Sequence, residues 1–197
     1  MCGRYALHAN PDVVALQFGL DALPEFKASY NVCPGSDVLV VRQRRKAALL
    51  PWGAGNRLIN ARAETLVERP AFRNAFRQYR CLVPASGFYE WQPVAGKKQP
   101  WYVLPSEQRL FALGGIVLLW QGVRSVAIVT TAANAVMAKI HDRMPVLVGP
   151  ESYDTWLGSE DASALLAPAP DDAVQAHPVS LRVNAPANDD EALLRPI

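Results

Sequence analysis

The sequence predicts an α+β protein with a curved, largely antiparallel, barrel-like β-sheet core and peripheral helices. Three observations lead there. Many short apolar runs are joined by tight turns, the few helical stretches do not alternate regularly with them, and half of the 197 residues are hydrophobic, enough for a substantial core. That length suits one domain spanning residues 1–197.

Taken in order, Asn10-Pro11 reads as the N-cap and first position of a short helix running through Leu16 and Phe18. DVLVV (37–41) and AALLPW (47–52) read as strands joined by the basic turn RQRRK. Pro70 opens a second helix, AFRNAFRQ, with Phe72 and Phe76 on one face and Arg73 and Arg77 beside them. RCLVP (80–84), GFYEWQ (87–92) and WYVL read as strands, the last two separated by the turn VAGKKQ. LFALGGIVLLW and SVAIVTT read as long strands around the turn QGVR. Beyond them TAANAVMAKI is expected to be a helix, HDRMP (141–145) a loop ended by proline, VLV a strand, ESYDTW a helix and VSLRV a last strand. No repeat, linker or low-complexity block interrupts this order, apart from a mild Ala/Pro/Asp patch at APAPDDA.

Composition narrows the classes. Formal net charge is +2, so no strongly basic balance announces a nucleic-acid partner. The arginines nevertheless concentrate in the first 82 residues, which allows a local basic face. Cys2, Cys33 and Cys81 are odd in number and far apart, against a disulfide framework and for a reducing compartment. No apolar run reaches the roughly 18 residues of a membrane span. Polar residues begin at Gly3-Arg4, so no signal peptide is expected. A soluble, cytoplasmic, monomeric protein is the expectation.

Cys2 stands directly behind the start methionine. Cysteine is small, so Met1 is expected to be trimmed, leaving an α-amine and a thiol on adjacent carbons. Their ordinary pKa values, roughly 8 and 8.5, make both partly available near neutral pH. Toward an aldehyde the amine forms an imine and the thiol closes onto the same carbon, giving a thiazolidine. Toward an amide the thiol acts instead as an acyl-transfer nucleophile. The plain alternative is a small apolar residue at the start of a strand.

Three further motifs carry polar residues. In NARAET (60–65) Asn60 can donate and accept hydrogen bonds, Arg62 is a natural phosphate ligand and Glu64 can pair with either; a polar loop before a helix looks much the same. In GFYEW, Glu90 sits among Phe88, Tyr89 and Trp91, where an apolar setting would raise its pKa and suit it to shuttling protons. Strict alternation would instead place it on the solvent face, opposite Tyr89 and Trp91. In HDRMP, His141 is suited to acid–base work near neutral pH and Arg143 to a second phosphate contact, or both are simply surface. His8 and His177 have no comparable neighbours. No CxxC or HExxH is present, and no P-loop or GxGxxG, so neither a metal nor a nucleotide cofactor is expected.

MCGRY, YNxxP (30–34), NARAET, RCLVPAxGFYEW (80–91) and HDRMP together form an ordered set that resembles the SOS-response-associated peptidase (SRAP) family, whose members crosslink to abasic sites in single-stranded DNA. The resemblance continues through KKQPWYV, ALGGI, IVTTAAN and VSLRVNAPANDD. It implies a DNA-damage function in which Cys2, freed of Met1, forms a thiazolidine with the ring-opened sugar. It implies that Asn60 holds the Cys2 amine and the sugar, that Glu90 moves protons, and that His141 assists opening of the sugar. Arg4, Arg62 and Arg143 would grip flanking phosphates, Trp52 would stack near the DNA, and the bound protein would be nucleoid-associated.

Two departures stand out. GAGNRLINARAE joins Trp52 to Asn60 by a shorter loop than the family pattern, which carries a further tryptophan there. YNVCPG has Cys33 and Gly35 where alanine and threonine are usual. The rival readings are an N-terminal-nucleophile amidohydrolase, which also begins Cys-Gly after Met removal, a peptidase activity limited to Met1, and a non-catalytic module for damaged single strands.

Overall fold

A computed structural model describes residues 2–53, 58–107, 109–158 and 161–197. Its strands, in chain order, are β1 (Tyr5–Leu7), β2 (Ser29–Val32), β3 (Asp37–Arg42), β4 (Lys46–Pro51), β5 (Asn60–Arg62), β6 (Arg80–Ala85), β7 (Gly87–Val94), β8 (Lys97–Pro105), β9 (Phe111–Trp120), β10 (Val123–Ala132), β11 (Arg143–Pro145) and β12 (Val174–Pro178). Four short helices accompany them: α1 (Pro11–Phe18), α2 (Ala63–Leu66), α3 (Pro70–Gln78) and α4 (Tyr153–Leu157).

Local chemistry explains the regular parts. Asn10 caps α1 by accepting from Asp12 N–H at 2.9 Å, and Gly19 ends it in the left-handed conformation at φ 61°. The β7–β8 and β9–β10 hairpins turn through Ala95-Gly96 and Gln121-Gly122. All four residues have positive φ, as two-residue hairpin loops require to match strand twist. Gly87 admits no side chain: a Cβ there would lie 2.4 Å from the Tyr102 ring.

The strands form two sheets. The first has the order β12-β8-β7-β1-β2; the second runs β11-β10-β9-β6-β3-β4, with β5 added on β10. Among the named strands every pairing is antiparallel except β5 with β10, where Ile128, Val129 and Thr130 sit opposite Asn60, Ala61 and Arg62. The α+β, largely antiparallel expectation therefore holds. Among the described residues the named strands form no closed barrel, although an isolated parallel bridge joins Trp52, just beyond β4, to Val126 on β10.

One apolar core draws Tyr5, Leu7, Phe88 and Val103 from the first sheet and Val40, Leu82, Ile116 and Ile128 from the second. The opposite face of the first sheet is also covered. Ala6, Tyr89 and Tyr102 pack there against Val179, Val183 and Leu193 of the C-terminal segment. Asn31 secures that segment, its amide donating to the carbonyls of Ala185 and Asn188 at 3.2 and 2.6 Å.

Several expected elements are different. TAANAVMAKI holds only a 3₁₀ turn at Met137–Lys139: Thr131 and Ala132 belong to β10, and Asn134 opens the short turn in the manner of a cap, its side chain accepting from Met137 N–H and donating to Ala169 O. HDRMP is not wholly a loop: Arg143–Pro145 pairs with β10. VLV forms a single bridge, Leu113 to Leu147, rather than a strand. VSLRV lies beyond β12 and turns into a 3₁₀ segment at Leu181–Asn184, capped by Ser180. No helix among the described residues is long and apolar enough to cross a membrane.

Candidate active site between the sheets

The site is assembled where β1 of the first sheet meets the β5–β10–β11 corner of the second. Tyr5 pairs with Phe88, and Tyr89 N–H donates to Arg4 O at 2.9 Å, so the N-terminal residues lie along β7. Glu90, two positions after Phe88, therefore points to the inter-sheet side. From the second sheet, Asn60 at the start of β5 reaches across and its amide donates to Cys2 O at 2.9 Å. The Asn60 Oδ1 is buried with no hydrogen-bond partner among the described residues. A buried acceptor left unmet is available to a donor brought in by a ligand.

Glu90 is only 1% exposed. Burial, reinforced by the Asp142 carboxylate, pushes its carboxyl up to about 7. The Cys2 thiol is fully buried and raised well above the ordinary thiol range, first by burial and then by the charge of Glu90. That effect places the two side chains in one electrostatic environment. At neutral pH the thiol stays protonated while the carboxyl is poised to gain or lose a proton.

His141 completes the group, with Nε2 4.0 Å from Glu90 Oε2. Its Nδ1 accepts the backbone N–H of Arg143 at 3.0 Å and also lies 2.9 Å from Asp142 Oδ1. These contacts favour opposite tautomers. The backbone donor is fixed, whereas the Asp142 side chain is largely in solvent, so the assignment with the proton on Nε2, toward Glu90, is preferred. Burial is the main cause that lowers the ring's pKa, which keeps it neutral at pH 7. The open cleft bordered by Gln92, Lys139, His141 and Asp142 is ≈ 670 Å³, room for a sugar.

The expected phosphate ligands divide. Arg62 is exposed on β5. Arg4 donates to Asn31 Oδ1 and Val183 O, both at 2.8 Å, and so joins the N-terminus to the C-terminal clasp. Arg143 donates both terminal nitrogens to Glu64, at 2.5 and 2.9 Å, and one of them also to Thr130 O at 2.7 Å. Trp52 departs from expectation. It is completely buried, its ring lies 5.3 Å from that of Tyr5, and its indole N–H donates to Ile59 O at 3.0 Å. Its ring is a core element and presents no face to a strand. Cys33 is half-buried, with its thiol donating to Asn31 O at 3.2 Å. The shortened stretch between Trp52 and Asn60 falls largely on residues 54–57, outside the described residues.

Thus Cys2, Asn60, Glu90 and His141, drawn from four separate motifs, come together. Reasoning from sequence missed two contributors: Asp142, beside His141, and the pairing of Glu64 with Arg143 rather than Asn60 or Arg62. The charges were visible in both motifs, but not their proximity. Among the described residues no cluster of three His, Cys, Asp or Glu side chains is placed to hold a metal ion.

The family model described as SOS response associated peptidase (SRAP) matches residues 1–186. The abasic site processing protein YoaM of Bacillus subtilis is 35% identical, over 98% of this chain and 97% of its own. The abasic site processing protein YedK of Escherichia coli is 31% identical over 100% of both chains. In fold, an X-ray structure of a protein from Bacteroides thetaiotaomicron aligns over 100% of both chains with a TM-score of 0.88 at 22% identity.

Proposed function

The chain belongs to the SOS response associated peptidase (SRAP) family, and from that premise we propose that it processes abasic sites in DNA by covalent capture through Cys2. The observation that carries the reading is the convergence on Cys2 of an amide that holds its backbone, Asn60, and a buried carboxyl poised near neutrality, Glu90. The partner is a single strand carrying the lesion.

The order of steps follows from the protonation states. An abasic sugar is mostly a closed hemiacetal, and opening it moves a proton from the anomeric hydroxyl to the ring oxygen. The Glu90 carboxylate can take the anomeric proton and return it to the ring oxygen, while His141 Nε2–H, 4.0 Å away, hydrogen-bonds that oxygen as it leaves. Once Met1 is gone, the Cys2 amine attacks the aldehyde carbon. Loss of water from the resulting carbinolamine needs a proton donor, and protonated Glu90 supplies it. The thiol adds last: it gives up its proton, its sulfur bonds to the imine carbon, and the imine nitrogen gains a proton. The ring closes with one water lost overall. Because burial keeps the thiol protonated, it waits for the imine rather than attacking first. Thiol-first attack on an amide, as in an N-terminal-nucleophile hydrolase, is correspondingly less well served. Asn60 fixes the residue so that both attacks reach one carbon.

The test is to incubate the protein with a single-stranded oligonucleotide carrying one abasic site and measure the intact mass. The expected adduct equals the protein without Met1 plus the DNA minus one water, and is absent in Cys2→Ala. No adduct from protein whose N-terminus is demonstrably Cys2 would overturn the reading.

A further inference from the structure

Arg143 occupies a place suited to a phosphate, yet its guanidinium is already engaged. Its two terminal nitrogens fork onto both oxygens of the Glu64 carboxylate, and Nη2 is also tied to Thr130 O on β10. The exposures are unequal. The Arg143 side chain is 13% exposed, while that of Glu64 is 51% exposed. The arginine is therefore anchored from the protein side, and its outward side is covered by a carboxylate that stands half in solvent. A guanidinium fork accepts a carboxylate and a phosphate with the same two-point geometry. Glu64 also follows Asn60 and Arg62 at alternate positions of one short segment, so the covering group belongs to the segment that holds Cys2 and presents Arg62.

We propose that Glu64 is an internal phosphate mimic: its carboxylate fills the Arg143 fork in the free protein, and a DNA strand binds by displacing it. The proposal rests on the reading that this site takes a DNA strand. Its consequence is selectivity through dwell time. Every strand must spend part of its binding free energy on displacing Glu64, so an intact strand leaves quickly, whereas a strand with an abasic site is retained by the covalent bond to Cys2. Arg143 is thus held in its binding geometry without becoming a permanently sticky cation.

The experiment measures the affinity of a labelled, undamaged single-stranded oligonucleotide by fluorescence anisotropy, at one salt concentration and neutral pH. The proteins are wild type, Glu64→Gln, Glu64→Ala, Arg143→Gln and the Glu64→Gln/Arg143→Gln double variant. Both Glu64 variants are expected to bind about fivefold tighter, the upper range for loss of a competing, partly exposed ion pair. Arg143→Gln is expected to bind more weakly, and the double variant to gain nothing over it. Unchanged or weaker binding by the Glu64 variants overturns the proposal. So does an equal gain in the Arg143→Gln background, because removing any negative charge near DNA would then account for it. If the Glu64 gain is absent while wild-type protein still captures an abasic strand, only the mimic idea falls. If wild-type protein captures no abasic strand, the proposed function falls and takes the mimic with it.

Discussion

Replacing Glu90 by Gln should make the protein more stable and less active, with the stability gain confined to one side of a pH window. The side chain is 1% exposed, and burial is the main cause that raises its carboxyl from an ordinary 4.5 to about 7. At about 1.4 kcal/mol per unit, ionising it in place costs the folded state up to about 3 kcal/mol. The sign follows from which state holds the proton. Below about 4.5 both folded and unfolded chains are protonated there, and Glu90 has no effect on stability. As pH rises toward about 7 the unfolded chain releases this proton while the folded one keeps it, so stability falls, and above about 7 the loss is complete. Glutamine never ionises. Glu90→Gln should match wild type at the acid end and exceed it by up to about 3 kcal/mol at the alkaline end, roughly 6–12 °C in Tm for a chain of this size. Single-turnover capture of an abasic strand should meanwhile slow by about 10²- to 10⁴-fold, the usual worth of a positioned acid–base group. Thermal melts on both sides of the window, beside quenched-flow capture, check both halves. A variant destabilised at alkaline pH, or shifted equally at both ends, would refute the claim that Glu90 is a desolvated carboxyl.

Asn60→Ala removes the 2.9 Å hydrogen bond to Cys2 O. It should cost about 1 kcal/mol in urea unfolding and slow capture while the variant stays folded; unaltered capture would remove Asn60 from the site. Trp52→Ala should cost about 3–5 kcal/mol, as for any large buried aromatic, yet leave strand affinity unchanged in anisotropy titrations below its melting range. A loss of affinity in demonstrably folded Trp52→Ala protein would restore the tryptophan to the DNA.

Glu90 illustrates what a sequence can and cannot convey. Alternation along GFYEW correctly separates Phe88 and Glu90 from Tyr89 and Trp91. It assigns the wrong face to water, because the C-terminal segment covers Tyr89 and leaves Glu90 on the inter-sheet side. Cys2 is fully buried, as the plain reading of a small apolar residue expects, and its carbonyl accepts the Asn60 amide. The helix expected over 131–140 failed for a reason of pairing: Thr131 and Ala132 belong to β10, opposite Met144 and Arg143, and only a 3₁₀ turn follows Asn134. The Trp52 expectation failed for a non-local one, since nothing in AALLPW announces that its indole is seated between Tyr5 and Ile59 O.

What the sequence determined by itself was what neighbours along the chain control: the Asn10 cap, the positive-φ hairpin turns at Ala95-Gly96 and Gln121-Gly122, and the ordered motifs that identify the family. Only the tertiary structure decided what covers each face and which charges meet. A period of two states that the faces of a strand differ, but not what packs on either one. Arg143 and Glu64 are 79 residues apart, and their pairing exists only because β5 and β11 both lie on β10.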